Sequence, residues 1–149
     1  MLLLRKIKLV FFVLCLFIVH GCNKNNRHPV PYYQFDLTIN FNLPSYSTLL
    51  GVGGWAYVSG IGSKGIIIYR SSANSFVAFD RHSPADPEGN CIPLYPDTDN
   101  FFILIDECNN ARFSLLDGSP WNDSQYTEWG LRSYQTYFDG DVKLRILNP

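Results

Sequence analysis

The residues with the strongest chemical character in the interior of the chain are His82, Cys91 and Cys108. Thiolates and imidazoles are the ligands that soft metals take, and a pair of thiols is also the material of a disulfide. Two cysteines and one histidine fall short of a four-ligand set. A nonstandard metal site would need His82, Cys91, Cys108 and a carboxylate together. Beside Arg81 and ahead of Ser83-Pro84, His82 reads instead as a partly exposed turn residue. Carboxylates crowd between Asp80 and Glu107. Asp97-Thr98-Asp99-Asn100 places oxygens at a spacing of two, but it lacks the glycine and closing glutamate of a calcium loop, so it reads as a solvated turn. With His82 as the one histidine of the domain and no Gly-x-Ser-x-Gly elbow, a serine hydrolase is without support. Gly51-Val52-Gly53-Gly54 is not followed by the Lys-Ser/Thr and helix of a phosphate loop. No catalytic constellation emerges, and the chain is not expected to be an enzyme.

The N-terminus sets the compartment. Arg5, Lys6 and Lys8 precede an apolar run from Leu9 to Val19, eleven residues that are too few for a comfortable membrane span. This reads as a signal peptide over residues 1–21. Val19-His20-Gly21-Cys22 resembles a bacterial lipobox, which implies cleavage before Cys22 and lipidation of its thiol. The polar stretch from Asn23 to Arg27, with Pro29 and Pro31 beyond it, then reads as a tether over residues 22–33. The mature protein is expected in the cell envelope, anchored to a membrane through N-terminal lipid and facing the periplasm or the outer surface. Of the four cysteines, Cys15 leaves with the signal and Cys22 carries lipid. Cys91 and Cys108 remain as an even pair in an oxidising compartment, where a disulfide is the default.

Removal of residues 1–21 takes three bases and no acids, so the net charge moves from −1 to about −4. Mild acidity without a basic run argues against a nucleic-acid footprint.

The elements that must position these residues read as strands. Gln34–Phe41 alternates polar and apolar, and Pro44 stops it. Ser45–Leu50 is a connector able to hold a helical turn. Trp55–Val58, Gly65–Arg70, Ser75–Asp80, Phe101–Ile105, Phe113–Leu116, Tyr134–Phe138 and Val142–Ile146 read as strands. Ser71–Asn74 and Asp139-Gly140 are hairpin turns. No helical stripe is present, and 23 aromatics supply the core. The expected fold is all-β, an antiparallel sandwich or small barrel over residues 34–149. Trp121, Tyr126, Trp129 and Tyr134 are read as core or rim packing in preference to an aromatic binding surface.

A strand-turn-strand unit ending in Phe79-Asp80, a loop, a strand, a second loop and Arg112-Phe113 resembles the order of a Rieske iron–sulfur domain over roughly residues 34–147. Asp117-Gly118-Ser119-Pro120 and Leu131-Arg132-Ser133-Tyr134 are similar to its scaffold. The resemblance implies a basal antiparallel domain with a loop subdomain inserted at about 81–112. It implies that two loops would carry two cysteines and two histidines for a [2Fe–2S] cluster. Here Ser83 and Ala85 stand at the ligand positions of the first loop, and Asp106 and Asn109 at those of the second, so all four ligands are lost. Cys108 stands where the high-potential members place half of a disulfide joining the loops, and Cys91 is the implied other half. No cofactor is therefore expected, and a [2Fe–2S] cluster only if this ligand assignment fails. The function expected is non-redox binding of an unidentified protein partner or ligand. Rieske-type electron transfer is the alternative that the resemblance alone would imply.

Overall fold

A computed structural model describes residues 27–121 and 127–149. Residues 1–21, Cys22 and Tyr126 lie outside the described residues, and so do the signal and lipidation expectations.

The chain folds as two antiparallel sheets. Their strands are β1 (Phe35–Asn40), β2 (Trp55–Val58), β3 (Ile66–Arg70), β4 (Phe76–Asp80), β5 (Tyr95–Pro96), β6 (Ile103–Ile105), β7 (Arg112–Ser114), β8 (Ser133–Phe138) and β9 (Lys143–Asn148). The large sheet has the order β1-β9-β8-β4-β3-β2, and the small one β5-β6-β7. The small sheet lies in sequence between β4 and β8, which pair with each other through Ala78–Tyr134 and Phe79–Ser133. It is therefore an insertion into one edge-to-edge junction of the large sheet. A 3-10 helix over Pro44–Leu50 joins β1 to β2 and buries Leu49.

The uninterrupted β-branched run of β3 explains the architecture. Ile66, Ile67, Ile68 and Tyr69 are all buried, which a sheet with one solvated face does not permit. Alternate residues enter different cores. Ile66 and Ile68 join Phe41, Phe76, Leu144 and Ile146 on one face. Ile67 and Tyr69 join Phe79, Leu104, Phe113 and Leu115 on the other. Strand β4 divides in the same way, with Phe76 and Ala78 on the first face and Phe79 on the second. The inserted sheet is thus the cover for the far face of β3 and β4. Its removal would expose that whole cluster to water.

The strand alternation in β1 is weaker because β1 is an edge strand whose inward side chains are only partly covered. Phe35 and Leu37 are half-buried, Ile39 is buried, and Asp36 and Thr38 are exposed. Strand β9 alternates more cleanly, with Leu144 and Ile146 inward.

Two expectations are corrected. The strand expected from Phe101 begins at Ile103. Phe101 and Phe102 lie in a turn with their rings against each other at 4.2 Å. Residues 28–33 are not a free tether end. Val30 is fully buried, and its carbonyl accepts from Nε and Nη2 of Arg132 at 3.1 and 2.7 Å. Tyr134 packs in the core, in keeping with the packing expected of it, whereas Trp121 and Trp129 are exposed.

Candidate functional site

The inserted unit presents two loops, each closed at its base by the backbone. Loop 1 spans residues 81–94, where the Leu94 amide donates to the Arg81 carbonyl at 2.7 Å. Nε of Arg81 returns a bond to the Leu94 carbonyl at 2.8 Å, and the guanidinium lies 3.7 Å from the Tyr57 ring centre. Loop 2 spans residues 106–111, where the Asp106 amide donates to the Ala111 carbonyl at 2.9 Å. Asn110 takes a left-handed φ of 56° there, a conformation that asparagine tolerates.

A disulfide between Cys91 and Cys108 joins the two loops, with Cα atoms 5.9 Å apart. That separation lies within the usual range for the bond. Cys108 is exposed and Cys91 half-buried, so the bond sits at the outer end of the unit.

The positions expected to be lost ligand sites are distributed unevenly around this bond. Asp106 is 1% exposed, and its Oδ1 accepts from the amides of Cys108 at 3.0 Å and Asn109 at 3.2 Å. Its Oδ2 accepts from Nδ2 of Asn109 at 3.1 Å. That same Nδ2 lies 3.8 Å from Sγ of Cys91. Asp106 and Asn109 are therefore bonded to each other, to their own loop and to the disulfide. Ser83 is buried in loop 1, with its Oγ accepting from the Ala85 amide at 3.2 Å. Ala85 packs at the edge of the second core cluster. Among the described residues no hydrogen bond joins Ser83 to Asp106 or Asn109.

These groups do not fit an iron–sulfur cluster. The four positions carry a hydroxyl, a methyl, a carboxylate and an amide, whereas such a cluster needs thiolates and imidazoles. Among the described residues, the one group of candidate ligands within mutual reach is Cys91, Asp106 and Cys108, whose ligand atoms lie within 4.8 Å of one another. Two of those atoms are joined in the disulfide. His82 does not belong to this group.

His82 corrects the turn-residue expectation. It is 3% exposed. Its Nε2 donates to the Asp86 carbonyl at 2.7 Å, which assigns the proton to that nitrogen, and Oγ of Ser63 donates to Nδ1 at 2.7 Å. Both ring nitrogens are occupied, so this histidine fastens loop 1 to the β2–β3 connection.

Sequence reasoning did not find the polar cluster below loop 1. Asp80 is fully buried at the end of β4. Its Oδ1 accepts from the amides of His82 at 2.8 Å and Lys64 at 3.2 Å. Its Oδ2 accepts from the Ser63 amide at 2.6 Å and the Tyr134 hydroxyl at 2.6 Å. Gly62 makes this approach feasible. Its φ is +67°, and a Cβ there would stand 2.6 Å from Oδ2 of Asp80. Nζ of Lys64 reaches the Cys91 carbonyl and stands 3.7 Å from Oδ2 of Asp86. Burial alone would raise the Asp86 carboxyl. The amides of Cys91 and Asn90, together with Lys64, hold it below the ordinary carboxylate range instead. In the sequence Phe79-Asp80 and Leu131-Arg132-Ser133-Tyr134 stood out only as separate segments of the resemblance, and nothing there joined Asp80 to Tyr134.

Among the described residues no helix is long and apolar enough to cross a membrane. Comparison of the chain with protein-family profiles, curated proteins and solved structures returned no match.

Proposed function

We propose that this chain is a lipid-anchored envelope protein whose domain keeps a Rieske-like scaffold without its cluster and binds a protein partner through the disulfide-joined loops. The observation that carries this reading is the state of the four former ligand positions. Asp106 and Asn109 are hydrogen-bonded to each other and to their own loop, Ser83 is turned to its own backbone, and Ala85 packs against the edge of the second core cluster. Groups so engaged supply neither electrons nor a metal platform. The insertion of a loop-bearing sheet between β4 and β8 supports the scaffold part of the reading. So does the contact of Asp80 with Tyr134, since both stand in the scaffold segments of that resemblance.

Binding follows from shape. The disulfide and the Lys64 contacts hold the loop ends in place, and Ile92 and Phe101 are exposed on the inserted unit. A preorganised surface loses less entropy on association than a mobile one. The test is site-specific photo-cross-linking in intact cells. A photoreactive residue at Ile92 is expected to give a discrete protein adduct that the same residue at Tyr137, on β8, does not give. Replacement of Cys91 by serine should weaken that adduct. Equal labelling at both sites, or none at Ile92, would contradict binding through these loops.

A further inference from the structure

The N-terminal segment of the folded unit and the chain before β8 form one continuous surface. Nε2 of His28 donates to the Gly130 carbonyl at 3.0 Å, and the His28 ring meets the Trp129 ring edge-on at 5.4 Å. Arg132 grips the Val30 carbonyl, and its guanidinium stands 5.9 Å from the Tyr32 ring centre. Three large aromatic side chains stand out of this surface: Tyr32 is 53% exposed, Tyr33 49% and Trp129 36%. Among the described residues of 27–33 and 127–132, Arg27 and Arg132 are the bases and Glu128 is the one acid.

We infer that this face, carried by Tyr32, Tyr33 and Trp129, rests on the headgroup region of the membrane that holds the lipidated Cys22. The inference rests on the lipid-anchor reading above. Six residue steps separate Cys22 from the docked His28, so the chain spans at most about 20 Å between them. A tether of that length holds the face near the bilayer at an effective concentration in the millimolar range. Under that condition even a weak surface preference fixes orientation. Tyrosine and tryptophan have that preference, because an apolar ring and a polar tip suit the boundary between headgroups and acyl chains. The bases beside them meet anionic headgroups, whereas no basic run exists to bind membranes by charge alone. The tethered domain is thereby oriented and does not swivel about a free linker.

The test uses the full chain, purified in detergent from cells that process lipoproteins. It is reconstituted into phosphatidylethanolamine–phosphatidylglycerol vesicles with plain or brominated acyl chains. With Trp55→Phe and Trp121→Phe, Trp129 is the sole tryptophan, and its emission is expected to fall at least about twofold in brominated vesicles. In the unsubstituted chain, the part of the quenching lost on Trp129→Phe gives the same reading without relying on the two replacements. Tyr32→Ser with Tyr33→Ser should reduce the quenching. Equal Trp129 emission in the two vesicle types, with Cys22 shown by mass to be acylated, would overturn the inference while leaving the anchor reading intact. Cross-linking of two copies through this face in place of quenching would also overturn it, in favour of a second copy of the chain. An unmodified Cys22 would overturn the anchor reading and this inference with it.

Discussion

The hydroxyl of Tyr134 on β8 donates to Oδ2 of Asp80 at the end of β4, at 2.6 Å and across 54 residues of chain. The whole inserted unit lies in sequence between these two residues. Their bond closes the junction from which the unit grows, and the same carboxylate takes the amides of Ser63, Lys64 and His82. A buried carboxylate with four donors is stable only while the donors stay in place.

Tyr134→Phe removes one donor without changing the ring. The loss is expected to be about 1.5–3 kcal/mol, the range for a hydrogen bond to a charged group, read from the denaturant midpoint. The same pair predicts an alkaline effect. Burial first, and then Asp80, push the Tyr134 phenol well above its ordinary value. The folded state thus holds the proton more tightly than the unfolded chain, whose tyrosines ionise near about pH 10. The stabilisation is complete below that pH and falls above it by up to about 1.4 kcal/mol per pH unit. The phenylalanine variant should show a shallower alkaline decline than the wild-type chain.

The disulfide makes a separate prediction. Cys91 and Cys108 are 17 positions apart, and a loop near that length is worth about 3 kcal/mol. Reduction, or Cys91→Ser with Cys108→Ser, should lower the midpoint by that order while the strand content of the large sheet persists. Alkylation of the unreduced, denatured chain should leave both thiols unlabelled, and labelling of both would count against the bond.

Most of the strand framework was legible in the sequence, and the reasons are local. Trp55–Val58 lies between glycine turns, the β-branched run before Arg70 lies between Gly65 and the turn at Ser71–Asn74, and Asp139-Gly140 marks a hairpin with Gly140 at a φ of 89°. Strand β5 was not legible. It is two residues long and contains Pro96, so neither alternation nor propensity marks it, and only its partner β6 defines it. Phe101 and Phe102 misled because apolar type does not distinguish a strand from a turn whose rings cover each other. The burial of His82 depended on Ser63, 19 positions away, and on a carbonyl four residues ahead. Long-range satisfaction of polar groups leaves no local pattern. Asp106 and Asn109 were singled out in the sequence through a resemblance alone, and the bonds that occupy their side chains were not foreseen.

Those bonds predict a loop phenotype. Asp106→Ala leaves the Cys108 and Asn109 amides and the Asn109 side chain without their acceptor. A cost of about 1–3 kcal/mol is expected, as for removal of a buried partner. Amide hydrogen exchange should quicken in 106–111 and leave β3 and β4 protected. Uniform loss of protection across the domain would contradict a local role.

His28 predicts an acid effect at the N-terminal contact. Burial is the main cause that lowers its pKa, and its Nδ1 accepts from the Val30 amide at 3.1 Å. Protonation would place hydrogen on that nitrogen and end the bond. The docking contribution is therefore present above about pH 6.5, the unfolded value, and is lost as pH falls through the lowered folded value. The protection factor of the Val30 amide, corrected for intrinsic exchange, should drop over that interval. A pH-independent factor would show that His28 does not control the contact.

On the reading proposed above, the domain holds no iron pair. The direct test is iron and acid-labile sulfide, with a visible spectrum, on the chain purified without oxygen from cells able to build clusters. The account predicts colourless, folded protein free of both. Iron and sulfide in equal, stoichiometric amounts with a Rieske-type spectrum would contradict it and restore electron transfer.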